Sequence, residues 1–292
     1  RVLFRSLALY TACAGIPPWL TLPIMLDVGT DNRERLTDPL YLGVRHRRIR
    51  GREYQDFIDA FVDAVMRVYP DSVLQWEDFL KGNAIFQLDR FRDRLCTFND
   101  DIQGTASVVV AGLYAALRIT GLPMRGQRIV IAGAGASAQG IAGLIVSALL
   151  DEGLSRDEAR SRIATVDSRG LVLDDRADLE PFKAAYAKSP AEVAAYEARD
   201  RSRITLEETV RNFKPTILIG TSGTAGLFQQ PVIDAMAAVN ERPIVFPLSN
   251  PTSKSECTAE DAIRWSDGRA IVATGSPFDP VTYQGKTYRI GQ

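Results

Sequence analysis

The sequence predicts an α/β protein in which a doubly wound parallel sheet is preceded by a smaller α/β domain, with the boundary near Asn99. Three observations predict it. From Asp101 onward, short aliphatic runs alternate with longer helical stretches, a rhythm that implies parallel strands joined by right-handed crossovers. A glycine-rich octet, Gly133-Ala134-Gly135-Ala136-Ser137-Ala138-Gln139-Gly140, joins the first of those strands to its helix. Residues 1–99 lack the rhythm and mix isolated apolar runs with amphipathic stretches.

In the first part, Thr21–Val28 and Ser72–Trp76 read as buried strands. Phe57, Phe61, Val65 and Val68 fall at helical spacing between Arg52 and Tyr69, and a second helix is expected over Ala84–Leu95. In the second part the expected order is helix Ile102–Arg118, strand Arg128–Ala132, helix Ala138–Leu150 and strand Ile163–Val166. After a polar stretch come helix Leu206–Phe213, strand Thr216–Ile219, helix Pro231–Ala238, strand Ile244–Leu248, helix Ala259–Trp265 and strand Ala270–Ala273. Two domains follow, 1–99 and 100–292.

Composition removes several classes of function. A net charge of -1 and a pI near 6.0 argue against a large basic footprint for nucleic acid, and the one basic cluster, Arg45–Arg50, reads as a solvated loop. The 3 cysteines, Cys13, Cys96 and Cys257, are odd in number and lack paired spacing, so they indicate neither a disulfide framework nor a zinc site. His46 is the single histidine, which disfavours a Ser-His-Asp triad or a histidine metal site and leaves metal chemistry to carboxylates. No apolar run approaches the roughly 20 residues of a membrane span and no signal peptide is evident, so a cytoplasmic protein without membrane partners is expected.

The ends read as those of a fragment. The opening Arg1–Ser6 has no methionine start and can be read as the translation of an adapter end, and the chain stops at Gly291-Gln292 without a closing element.

The octet follows strand RIVIA and opens a helix, the setting in which a GxGxxA variant has a mechanism. Gly133 allows a tight turn, Gly135 the close approach of a diphosphate and Ala138 close helix–strand packing, with Ala136 and Ser137 in the first turn at the positive helix end. This is the Rossmann-like arrangement. Asp167, at the end of the next strand, is placed to accept from the ribose hydroxyls. It would repel a 2′-phosphate and favours NAD, whereas Ser168-Arg169 could pair with that phosphate and favour NADP; the balance is set toward NAD.

Two acidic pairs stand out, Glu77-Asp78 after strand SVLQW and Asp100-Asp101 before a helix. Three converging carboxylates suit a hard cation such as Mg2+ or Mn2+, but adjacent strand residues face opposite sides, so Glu77 and Asp78 can both ligate only if the strand has ended and the chain is turning. Asp100-Asp101 reads equally as a helix cap. Gly220–Gly226 and Ser249-Asn250-Pro251-Thr252 both follow strands at the sheet end where α/β proteins bind ligands, and both also read as ordinary turns.

Four motifs in order resemble the malic enzyme family: Leu9–Ile16 (LYTACAGI), Leu26–Asn32 (LDVGTDN), Phe98–Thr105 (FNDDIQGT) and Leu248–Thr252 (LSNPT). The resemblance runs from about Leu7 to Gln292. It implies oxidative decarboxylation of malate to pyruvate and CO2 with reduction of NAD or NADP, Mg2+ or Mn2+ as cofactor, and a homo-oligomer. It implies Glu77, Asp78 and Asp101 as metal ligands and Asp100 as a carboxylate beside the catalytic centre. It also implies Asp101 near the cofactor and Asn250 at substrate and nicotinamide. In the implied reaction malate's hydroxyl and carboxylate coordinate the cation while hydride passes from C2 to the nicotinamide, and CO2 loss and protonation follow.

The departures bear on activity. The family's lysine base is expected three residues before Leu9, where this chain has Ser6; its tyrosine acid lies upstream of the segment, and an asparagine is expected just after Gln292. If Ser6 is foreign, the parent is an ordinary enzyme; if it is native, the protein binds NAD without turnover. In either case the 292-residue chain is expected not to decarboxylate malate. The alternative from another class is a non-catalytic dinucleotide-binding regulatory protein.

Overall fold

The computed structural model describes the backbone of residues 2–291 and the side chains of 6–80 and 82–291, so Arg1 to Arg5 of the opening segment and Gln292 lie outside the described side chains. Contacts divide the chain into a first unit of residues 2–80 with 86–98, and a second of 81–85 with 99–291.

The first unit carries helices α1 (Val2–Ala14), α2 (Arg33–Thr37), α3 (Gly51–Val68) and most of α4 (Lys81–Phe91), with strands β1 (Leu74–Trp76) and β2 (Thr97–Asn99) forming a two-stranded sheet. Helix α3 runs until Pro70, whose ring disfavours helical backbone at the residue before it. Its buried stripe is Tyr54, Ile58, Val62 and Val65, turned from the expected one; Phe57 and Val68 are exposed. The stripe is centred on Trp76, which meets Phe61 and Phe79 edge-on at 6.2 and 5.4 Å and stacks on Phe91 at 5.8 Å.

Thr21–Val28 is extended chain rather than the expected strand. Pro23 has no N–H to donate to a ladder, and the segment's backbone bonds are local or isolated, from Thr21 N to Pro18 O at 3.1 Å and from Ile49 N to Val28 O at 2.9 Å. The loop that follows closes on Asp27, whose carboxylate accepts from Val44 N at 2.7 Å and Gly29 N at 2.9 Å; those two N–H groups hold it below the usual carboxylate range. Gly29 is required there, because at φ +81 a Cβ would lie 2.6 Å from His46 Nδ1.

The second unit is built on a six-stranded sheet. Its strands are β3 (Ile129–Ala132), β4 (Ile163–Asp167), β5 (Gly170–Leu171), β6 (Ile217–Gly220), β7 (Ile244–Pro247) and β8 (Ile271–Val272), in the order β5-β4-β3-β6-β7-β8. All pairs are parallel except β4 with β5, a two-residue return at the edge that the sequence reading did not contain. The strands are continuous apolar runs, as expected when both faces are covered.

Alternation along β3 divides the core. Ile129 and Ile131 face helices α5 (Thr105–Thr120) and α6 (Ala136–Asp151), while Val130 and Ala132 face α9 (Leu206–Phe213), α10 (Gln230–Val239) and α11 (Ala259–Trp265). The short helices α7 (Arg156–Ser161) and α8 (Pro181–Ala184), and the hairpin β9 (Val281–Tyr283) with β10 (Lys286–Tyr288), complete the unit. The helical run Asp100–Thr120 has 21 residues and contains an 18-residue stretch of mean hydropathy 1.4, longer and more apolar than the sequence reading allowed. Its buried residues, among them Val109, Leu113 and Leu117, belong to the core beside the sheet.

Candidate functional site

In this sheet β3 is central and the chain reverses direction of winding between β3 and β6, so a crevice opens beyond their carboxyl ends. Gly133 stands there with φ +120, and a Cβ on it would lie 2.5 Å from Thr221 Oγ1 and 2.8 Å from the Thr221 backbone. Only glycine fits this turn. Thr221 N donates to Ala132 O at 2.8 Å and Gly133 N to Val166 O at 2.7 Å, which lock the three strand ends together.

Gly135 is the N-cap of α6 and provides no side-chain cap, so the first N–H groups of Ala136, Ser137 and Ala138 project from a positive helix end. Ala138 is fully buried, as close packing of helix on strand requires.

The octet's last glycine has a role the sequence reading did not give it. A Cβ on Gly140 would sit 2.2 Å from Ile102 O, so α6 crosses the turn Asp100–Gly104 with backbone against backbone. Ser137 Oγ donates to Asp101 O at 2.9 Å and fastens the same turn to the first turn of α6. That turn is π-helical, a form concentrated at functional sites.

Asn99 is its N-cap, accepting from Ile102 N at 3.1 Å, while Gln103 Oε1 accepts from Asn99 N at 3.0 Å. The cap is therefore Asn99 rather than the acidic pair. Asp100 lies against Gly104, where a Cβ would meet its Oδ1 at 2.1 Å, and burial pushes the Asp100 carboxyl above its ordinary range.

In the first unit, β1 ends at Trp76 and Asp78 takes left-handed backbone at φ 63. The strand has ended and the chain is turning at the acidic pair, the condition under which both side chains can serve one ion. Glu77 Oε1 accepts from Ser6 Oγ at 2.7 Å and Glu77 Oε2 from Gln75 Nε2 at 3.1 Å. Glu77 and Asp78 belong to the first unit and Asp101 to the second. Among the described residues no three His, Cys, Asp or Glu side chains form a group able to hold a metal ion.

Asp167 is at the end of β4 as expected, but its carboxylate is already engaged. Oδ1 accepts from Arg169 N at 2.9 Å and Arg176 Nη1 at 2.9 Å; Oδ2 accepts from Arg176 Nη1 at 3.0 Å and Lys183 Nζ at 3.2 Å. Burial pushes this carboxyl up, yet the Arg176 hydrogen bond, with the Arg169 N–H and Lys183, outweighs burial and holds it below its usual range. The four acceptances match a carboxylate's capacity. Arg169, weighed above for a cofactor phosphate, pairs with Asp178 at 2.7 Å. Arg176 and Lys183 lie in the polar stretch from about Asp174 to Arg203, where no motif or period singles them out.

Asn250 follows β7 and is joined to Pro251 by a cis peptide bond. Beneath it lies Glu256, fully buried, which accepts from both Ser222 and Ser249. Sequence reasoning missed Glu256, because an isolated acid three residues before a helix gives no periodic or motif signal.

A doubly wound sheet with a glycine turn at its switch point and an uncapped helix beside it defines the class of dinucleotide-binding α/β domains. Comparison with known proteins is more specific. A malic enzyme NAD binding domain matches residues 102–292, and a malic enzyme N-terminal domain matches residues 2–92. The chain belongs to the malic enzyme family.

An NAD-dependent malic enzyme of Shewanella denitrificans is 50% identical over 287 residues, which are 98% of this chain and 51% of that protein. One of Sodalis glossinidius is 51% identical over 287 residues, with the same coverage of 98% and 51%. The crystal structure of Entamoeba histolytica malic enzyme superposes with a TM-score of 0.63 at 25% identity, over 89% of this chain and 46% of that one. The chain spans about half the length of the curated relatives it matches.

Proposed function

We propose that this chain is the dinucleotide- and metal-binding portion of an enzyme that oxidatively decarboxylates malate to pyruvate and CO2 while reducing NAD. The observation that carries the reading is the Gly133 turn against Thr221 at the switch point, with the α6 N-terminus open to a diphosphate. The names of the relatives, NAD-dependent malic enzymes, support malate as substrate and NAD over NADP.

In this reading residues 1–99 form the substrate and metal domain and residues 100–292 bind the cofactor. Gly133, Gly135, Ala136, Ser137 and Ala138 receive the diphosphate. Asn250 orients substrate and nicotinamide, Asp100 stands beside the reacting centre, and Asp101 serves both metal and cofactor. Asp167, its acceptor sites filled, acts by fixing Arg176 and Lys183 at the adenosine end rather than by accepting from the ribose itself.

Glu77, Asp78 and Asp101 are the residues that would hold Mg2+ or Mn2+; what favours them is three hard carboxylate donors and the turn at Asp78. A bound cation of this kind supplies Lewis acidity to the oxygens of malate. The parent protein is read as a cytoplasmic homo-oligomer.

Calorimetric titration of Mn2+ and NAD into the chain, beside Asp101→Ala, tests the reading. Saturable binding of both, with the Mn2+ affinity lowered by the substitution, is the expected result. Absence of NAD binding would overturn the dinucleotide assignment, and Mn2+ binding untouched by the substitution would overturn the metal assignment.

A further inference from the structure

We propose that Glu256 is a positioning residue that holds the two ligand loops of the sheet in register, the inference resting on the dinucleotide reading above. Its carboxylate is fully buried, and none of the ion pairs among the described residues includes it. Instead it collects four neutral donors. Oε1 accepts from Ser222 N at 2.8 Å, Ser222 Oγ at 2.8 Å and Ser249 Oγ at 2.6 Å, and Oε2 accepts from Ser249 N at 3.2 Å. Ser222 belongs to the loop after β6 and Ser249 to the loop after β7.

The hydroxyls extend the clamp. Thr224 N donates to Ser222 Oγ at 3.0 Å, and Gly223 N donates to Ser249 Oγ at 2.8 Å. Each hydroxyl thus accepts from one amide and passes its own proton toward Glu256, so direction is fixed along both relays. The backbone is shaped to admit the carboxylate: a Cβ on Gly220 would lie 2.5 Å from the Glu256 carboxyl carbon. Gly275 approaches the start of the loop after β7 so closely that a Cβ would lie 1.8 Å from Leu248 O.

A buried charge is costly unless its hydrogen bonds are satisfied, and every donor here comes from a loop at the carboxyl end of the sheet. The loop it holds on one side begins with Thr221, the residue against which Gly133 turns, and on the other continues into Asn250. Glu256 therefore sets the spacing between the diphosphate end and the nicotinamide end of the crevice without touching the ligand.

The side chain must be an acceptor at both oxygens. Glu256→Gln keeps an acceptor for Ser222 but turns an amide NH2 toward the Ser249 N–H, donor against donor; Glu256→Ala removes both seats and leaves the loops unlinked. Native-state amide hydrogen exchange and NAD titration on the native chain and both variants test this.

The expected result is exchange faster by about tenfold or more at Ser222, Gly223 and Ser249 in Glu256→Ala and at Ser249 in Glu256→Gln, the equivalent of one hydrogen bond to a charged group. Exchange on β3 should be unchanged, and NAD affinity should fall by about tenfold in Glu256→Gln. Unchanged exchange at those amides in both variants would overturn the proposal, as would loosened loops with undiminished NAD affinity. If the native chain binds no NAD while the loops loosen in both variants, the dinucleotide reading fails and the clamp stands as a loop-holding device.

Discussion

The Ser6 hydroxyl donates to Glu77 Oε1 at 2.7 Å, across 71 positions of sequence. The position at which family resemblance expects a lysine base thus abuts a carboxylate expected to ligate the metal. The native chain should give no malate-dependent NADH formation above a metal-only control. Ser6→Lys should raise the rate by roughly a hundredfold or more, the usual worth of one positioned base, and Ser6→Ala should not. A rate left unmoved by Ser6→Lys, with NAD and Mn2+ binding intact, would show that a base at this position does not suffice for turnover.

Asp78 separates function from fold. Its left-handed backbone, at φ 63, costs a side-chain-bearing residue about 1–2 kcal/mol, and asparagine and glycine tolerate it best. Asp78→Asn should leave thermal stability within about 1 kcal/mol of native while weakening Mn2+ by tenfold or more; Asp78→Val should lose about 1–2 kcal/mol of stability. Equal Mn2+ affinity in Asp78→Asn would mean that the residue is there for the turn alone.

Gly140 links the cofactor helix to the turn bearing Asp100 and Asp101. A methyl group there must displace Ile102 O, so Gly140→Ala should destabilise the second unit by about 1–3 kcal/mol, against the usual gain from alanine in a helix. NAD and Mn2+ affinities should fall together, because one movement disturbs the α6 N-terminus and the π turn. Calorimetry on the variant that finds one affinity changed and the other native would uncouple the two.

The second unit was legible because its signal is local and repeated. Strands buried on both faces read as aliphatic runs, as Ile129–Ala132 and Ile217–Gly220 do, and the Gly133 turn announces itself by residue type. The first unit was less so. Its extended Thr21–Val28 has strand composition but finds no ladder, and the buried stripe of α3 is fixed by where Trp76 lies, which no periodicity reveals.

Site residues divided in the same way. Gly133 and Gly135 could be placed at the turn before α6 by residue type, while Arg176, Lys183 and Glu256 act through partners distant in sequence or sit in polar stretches without period. Sequence placed Asp167 correctly at the strand end, but only the structure shows its lone pairs already taken.

That occupancy makes Asp167 a source of pH-dependent stability. Its side chain is 10% exposed and pairs with Arg176 and Lys183, each 11% exposed. Replacing one member of such a buried cluster leaves the others uncompensated, so Asp167→Asn should cost about 3 kcal/mol at neutral pH. The sign follows from linkage: the folded-state pKa lies below the ordinary value of 3.8, so the folded protein holds this proton less tightly than the unfolded chain. The stabilisation is present in full above that ordinary value and is lost as pH falls through the lower folded one. Urea unfolding of native and Asp167→Asn chains should show a gap that is constant from about pH 7 to pH 5 and closes below about pH 4. A gap of the same size on both sides of that range would show that Asp167 stabilises by shape and packing, with its charge contributing nothing.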